Sequence, residues 1–233
     1  MNNNKRLIIG RKYTDEIKEL EALGYNCITI NPCLTLDGEI NSHTDILSFK
    51  LSDNVLLSES SAAGELSKKI SDYNIIGIDN ISSPYPDDIK LNAAYLGNKI
   101  ICNSKYTSTQ IIDFCNSNGI EIINTNQGYT KCNLCILNNN AVITEDDGLS
   151  SLLKNYQIDV LKIKPGYVQL SQKHYGFIGG ASGKIADDIL YFSGNLSEHP
   201  DYEKIIEFLN KYNIKPVFNK NRKLSDFGGL ISL

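Results

Sequence analysis

Residues 128–163 read GYTKCNLCILNNNAVITEDDGLSSLLKNYQIDVLKI and contain one complete folding unit. The apolar run Asn133 to Leu137 meets a turn of three asparagines, Asn138 to Asn140, and a second apolar run, Ala141 to Thr144, follows. Asparagine tolerates the positive φ of tight turns, so the two runs predict a β-hairpin. Glu145, Asp146 and Asp147 then precede a helical stretch, Leu149 to Tyr156, where acidic groups suit the positive end of the helix dipole. A β-branched run, Ile158 to Ile163, closes the unit as strand, strand, helix, strand.

The same order can be traced five times. Residues 43–58 predict a hairpin turning at Ser52 to Asn54, with a helix over Ser61 to Ser71 and a strand over Asn74 to Asp79. A third copy starts near Asp88, turns at Gly97-Asn98, and continues as a helix from Thr107 to Asn118 and a strand from Ile120 to Asn124. A fifth starts at Tyr175 and turns at Ala186 to Asp188; its helix spans Tyr202 to Tyr212, with Pro200 suited to a first turn, and its strand spans Ile214 to Phe218. The first copy has a strand at Leu7 to Gly10, a helix at Thr14 to Leu23 ended by Gly24, and a strand at Tyr25 to Ile30, but no leading strand.

One strand is left over at the other end, Asp226 to Leu233. The second hairpin strands begin near Val55, Lys99, Val142 and Ile189, at spacings of 44, 43 and 47 residues, and Leu7 lies 48 residues before Val55. A linear array would expose strand edges, whereas a ring ending on the strand its first unit lacks leaves none. The expected fold is therefore α/β: a single domain over 1–233, a five-bladed propeller of ββαβ units closed by the C-terminal strand on the N-terminal blade. A generic α/β sandwich is the alternative.

Composition narrows the function. The 233 residues are 41% apolar and 21% charged, as in ordinary globular domains. A net charge of −4 argues against nucleic acid as the main partner. No apolar run is long enough to span a membrane, and the start MNNNKRLIIG lacks the apolar length of a signal peptide. Six cysteines without a small-scaffold framework predict reduced thiols and a cytoplasmic location.

Five ββαβ units around a pseudo-fivefold axis resemble the pentein fold of guanidine-group-modifying enzymes. Arginine deiminases, dimethylarginine dimethylaminohydrolases and amidinotransferases share it, as does a non-enzymatic ribosome anti-association factor. Asn41-x-His43-x-Asp45, the Gly-Tyr-Thr-Lys-Cys-Asn block at 128–133, the Gly-Gly-Ala-Ser-Gly-Lys block at 179–184 and the terminal Asp226-x-Gly228-Gly229 resemble an uncharacterised bacterial branch of that fold. The resemblance implies a central site where a thiolate attacks the guanidinium carbon, a histidine moves protons and carboxylates hold the cation.

On that footing His43, Asp45 and Cys132 are the catalytic candidates. His43 and Asp45 are expected on one face of a strand start, with Asp45 fixing the imidazole tautomer; a structural polar pair is the alternative. Counting back ten residues from Val142 and from Val55 aligns Cys132 with Asp45, and Lys131 beside it would lower the thiol pKa. The ligand-binding candidates are Asn41, Lys131, Asn133, Gly179, Gly180, Ser182, Asp226 and Gly228, with Lys184 and Tyr129 as further lining.

Cys132-x-x-Cys135 in a strand would point its thiols to opposite faces, so no metal is expected, and no cofactor either. The glycine block misses the phosphate-loop spacing. The enzymes carry their nucleophile on the last strand, where this chain has Ser232 in the expected place. The expected activity is then binding of a small guanidino- or amidine-like cation in an axial pocket. The alternatives are a hydrolase or amidinotransferase with Cys132 as a relocated nucleophile, and a protein-binding ring.

Overall fold

The computed structural model describes residues 5–172 and 174–233; of the stretches read above, the first four residues of the N-terminus lie outside it. Its described residues form five three-stranded sheets in a mixed α/β fold. In chain order the first elements are β1 (Arg6–Gly10), α1 (Thr14–Ala22) and β2 (Asn26–Ile30). Next come α2 (Thr44–Leu47), β3 (Ser48–Ser52), β4 (Val55–Glu59), α3 (Ser60–Leu66) and β5 (Asn74–Ile78). The third group is β6 (Ala94–Leu96), β7 (Lys99–Cys102), α4 (Thr109–Asn118) and β8 (Glu121–Asn124). The fourth is α5 (Thr130–Asn133), β9 (Leu134–Asn138), β10 (Ala141–Thr144), α6 (Asp147–Asn155) and β11 (Asp159–Lys162). The last is β12 (Ser182–Ala186), β13 (Ile189–Phe192), α7 (Tyr202–Lys211), β14 (Lys215–Phe218) and β15 (Ile231–Ser232).

Every sheet follows one rule. A central strand pairs antiparallel with the strand before it and parallel with the strand after it, as in the run β9, β10, β11. The parallel partner is reached through a helix, because parallel strands need a crossover rather than a tight turn. The first sheet obeys the rule only by borrowing. β15 pairs antiparallel with β1, matching Leu7 with Ser232 and Ile8 with Ile231, and Leu233 N–H donates to Arg6 O at 3.0 Å.

Central strands are the most buried. Leu7, Ile8 and Ile9 of β1, Leu56 and Leu57 of β4, and Ala141 to Ile143 of β10 have no exposed surface. Helices cover the outer faces, as α7 does with Ile205 and Leu209 buried. Asp146 caps α6 by accepting Leu149 N–H at 2.7 Å, the N-terminal role expected of this acidic run. Gly119 ends α4 at φ +66° and Gly24 follows α1 at φ +87°, where a side chain would be strained. All six cysteines are free, and no helix among the described residues is long and apolar enough to cross a membrane.

Four local expectations need correction. His43 and Asp45 do not begin a strand: His43 precedes the one-turn helix α2 and Asp45 lies inside it. Cys132 likewise sits in the one-turn helix α5, not at a strand start. The final leading strand shrinks to β15, because Gly228 and Gly229 take φ +71° and +61° and bend the chain at the point where Asp226 was expected to open it. Pro200 precedes α7 rather than opening it.

Candidate functional site

The segments that lead into the sheets meet one another. Asp45 N–H donates to Gly228 O at 2.9 Å, and Asn92 Nδ2 donates to Asp45 O at 3.0 Å. Lys131 N–H donates to Asn92 Oδ1 at 2.7 Å, Gly180 N–H to Cys132 O at 2.9 Å, and Gly229 N–H to Gly180 O at 2.9 Å. This circuit starts and ends on the Gly228-Gly229 turn. It places a side chain from four different leading segments in one buried cluster.

Close approach is what the glycines permit. A Cβ on Gly180 would overlap Asp226 Oδ1, one on Gly228 would overlap His43, and one on Gly179 would fall 2.5 Å from the carbonyls of Lys131 and Cys132. The glycine block is therefore a contact surface against α5 and Asp226, consistent with its failure to match a phosphate loop.

At the centre lie His43, Asp45, Cys132 and Asp226, all buried. One ligand atom each from His43, Asp45 and Cys132 falls within 4.8 Å of the others. His43 Nδ1 is 3.7 Å from Asp226 Oδ1 and 4.0 Å from Asp45 Oδ1, both too long for a hydrogen bond. Neither ring nitrogen of His43 has a hydrogen-bond partner, and the Asp45 oxygens have none beyond the Cys132 thiol. Asp226 is better held, accepting Phe177 N–H and Gly228 N–H at 2.9 Å each.

Burial governs the proton affinities. It pushes the Asp45 carboxyl up to about 6, with the charges of His43 and Lys131 pulling the other way. Cys132 is held well above a normal thiol by burial, then by the negative charges of Asp45 and Asp226. The expectation that Lys131 would activate this thiol is thus overturned. Lys131 Nζ instead approaches Gly179 O at 3.4 Å. Neighbouring Glu145 is raised to about 7 by burial, against a hydrogen bond from Ile178 N–H at 3.2 Å.

Two cavities flank this cluster. The first, about 370 Å³, is lined by His43, Cys132 and Asp226, by three more carboxylates (Asp37, Glu39, Asp88), and by Tyr85, Tyr129 and Phe177. Tyr129 O–H donates to Asp88 Oδ2 at 2.6 Å and its ring lies 5.8 Å from Tyr85. The second, about 260 Å³, holds Asp45 with Lys50, Lys131, Lys184, Ser182 and Ser232. Ser232, the residue standing where a nucleophile was expected, shares no cavity with His43.

The remaining candidates scatter. Asn41 lines neither cavity, its carbonyl accepting Cys33 N–H at 2.8 Å. Asn133 is turned to Tyr129 O at 2.9 Å and borders a separate hollow with Glu145. Of the two other histidines in the sequence, His174 is exposed and contacts Glu39 at 2.8 Å, while His199 is buried elsewhere against Lys164 O at 3.2 Å. Asn92 is the residue that sequence reading missed. Besides its backbone contacts it donates to Cys132 Sγ at 3.0 Å. Its position two residues before β6 matches that of Cys132 before β9 and Gly180 before β12, a signal available from strand spacing.

The model of the Family of unknown function (DUF6873) matches residues 7–231. The chain belongs to this family. No curated protein matches this DUF6873 chain. Among solved structures, a cysteine-to-serine variant of C. jejuni agmatine deiminase with substrate bound superposes at TM-score 0.59 and 14% identity, over 98% of this chain and 93% of that one. Pseudomonas aeruginosa DDAH, a cysteine-to-serine variant complexed with citrulline, gives 0.55 and 11%, covering 98% and 99%. The amidinotransferase SxtG from Microseira wollei gives 0.53 and 11%, covering 93% and 88%. At these identities the likeness establishes the fold: the DUF6873 chain has the pentein fold.

Proposed function

We propose that this DUF6873 chain is a single-domain, closed five-bladed α/β propeller whose first cavity binds a small organic cation of the guanidino or amidine class. The hydrogen-bond circuit running through the leading segments of the sheets supports the ring. The observation that carries the ligand class is charge: four carboxylates and no lysine or arginine line the cavity among the described residues. A planar guanidinium matches carboxylates through paired N–H donors, and the Tyr85–Tyr129–Phe177 row offers rings to its apolar stem and its charge. Among the similar folds, agmatine deiminase is seen with its substrate bound, which fits this class.

Isothermal titration with agmatine and arginine, against neutral citrulline as control, tests the reading. Binding of the cations with no heat from citrulline is expected. Equal binding of all three, or of none, would sink it. The neighbours' chemistry suggests a catalytic alternative, favoured by one observation, the gathering of Cys132 with His43 and Asp45. There the Cys132 thiolate would add to the guanidinium carbon, the C–N bond would break, and the leaving amine would take a proton from the imidazolium of His43. A thiol held well above its normal pKa in the unliganded protein speaks for binding first.

A further inference from the structure

We infer that His43, Asp45 and Cys132 form a site for a divalent transition metal, with Zn²⁺ the best-matched ion. This goes beyond the organic-cation reading and does not depend on it.

Three observations carry it. First, the trio supplies one nitrogen, one oxygen and one sulfur, all within 4.8 Å of one another and all buried. In a tetrahedral zinc site with bonds of about 2.0–2.3 Å the ligand atoms stand about 3.3–3.8 Å apart. The cluster therefore reaches coordination distance by a small contraction of side chains. Second, both nitrogens of His43 are buried without a hydrogen-bond partner, and the Asp45 oxygens have none beyond the Cys132 thiol itself. Native proteins rarely leave buried polar atoms unpaired, and a metal satisfies several at once. Third, charge favours a cation: Asp45, Asp226 and an ionised Cys132 gather negative charge in a dry site, and a dication offsets it.

Ligand type selects the ion. Thiolate and imidazole disfavour Mg²⁺ and Ca²⁺ and suit Zn²⁺ or Co²⁺. On binding, the Cys132 S–H bond breaks, the sulfur–metal bond forms and the proton leaves to solvent. Three protein ligands leave the fourth position open. Asp226 Oδ1 lies 3.7 Å from His43 Nδ1, but the two Asp226 oxygens already accept Phe177 and Gly228 N–H groups. Asn92 provides the outer support, donating to Cys132 Sγ at 3.0 Å while its Oδ1 accepts Lys131 N–H at 2.7 Å.

The test uses the full chain, freed of metal with a chelator and titrated with Co²⁺. One equivalent is expected to bind, giving a thiolate-to-cobalt charge-transfer band and the intense visible absorption of four-coordinate cobalt, with Zn²⁺ abolishing both. Cys132→Ser removes the charge-transfer band and Cys135→Ser keeps it. Asn92→Ala, checked as folded by circular dichroism, weakens Co²⁺ binding by about 10–100-fold and keeps the band. No band in the folded protein at millimolar Co²⁺, or a band that survives Cys132→Ser, overturns the site. Cobalt binding without agmatine binding would overturn only the organic-cation reading, and the converse only this one.

Discussion

The two cavities beside the central cluster differ sharply although adjacent residues build them. His43 and Cys132 face a hollow with carboxylates and aromatic rings, while Asp45 and Lys131, their close sequence neighbours, face one with lysines and serines. Part of the sorting is done by the single helical turn α2: in a strand His43 and Asp45, two residues apart, would share a face, and in a helical turn they do not, whereas the adjacent Lys131 and Cys132 diverge in either geometry. A four-residue change of backbone thus divides one motif between two chemical environments, and charge follows geometry.

The boundary between them is the first place to break this contrast. Gly180→Ala would drive a methyl group into Asp226 and is expected to lower stability by about 3 kcal/mol or more, measured by chemical denaturation. Gly38→Ala, with open space around its Cβ position, is the matched control and should change little.

Asp45 offers a gain in stability instead. Its native carboxyl keeps a proton up to about 6, while the unfolded chain loses it near the ordinary 3.8. The native state then binds more protons across that window, so stability falls as pH rises through it and levels off above. The gap corresponds to about 3 kcal/mol at full ionisation. In the metal-free chain, Asp45→Asn should accordingly raise stability by about 1–3 kcal/mol at pH 8 and leave it unchanged near pH 3, read by urea denaturation with chelator present at both pH values.

Charge in the first cavity sets the next effect. Asp88→Asn is expected to weaken agmatine binding by about tenfold, while Lys184→Ala in the second cavity leaves it unchanged, both followed by calorimetry. The reverse pattern would place the cation in the wrong cavity. The smallest effect concerns the thiol. Cys132 should alkylate no faster than an ordinary thiol of pKa ~8.5 when free, and faster once a cation offsets Asp45 and Asp226.

Much of the architecture was legible in the sequence because hairpins and amphipathic helices leave short-range periodic marks. The leftover strand at the C-terminus, set against the missing strand of the first unit, identified the β1–β15 pairing in advance. Spacing aligned Cys132 with Asp45, while the central site that gathers them with His43 was read from the family resemblance. The one-turn helices were not legible, since four residues such as Thr130–Asn133 are too few for a helical period to show. That ambiguity misassigned the face of Asp45 and the influence of Lys131. Asn92 escaped because the leading strand was read from Asp88, whereas β6 begins only at Ala94, which hid the place of Asn92 two residues before it.

The borrowed strand also has a temporal consequence. Until Ser232 has left the ribosome, β1 has no partner for one of its edges, and Asp45 N–H lacks the Gly228 carbonyl that receives it. The later sheets can form as they are synthesised, but the first sheet and the cluster against it wait until the Asp226–Ser232 segment has emerged, and until then the nascent chain carries an open strand edge for chaperones to guard.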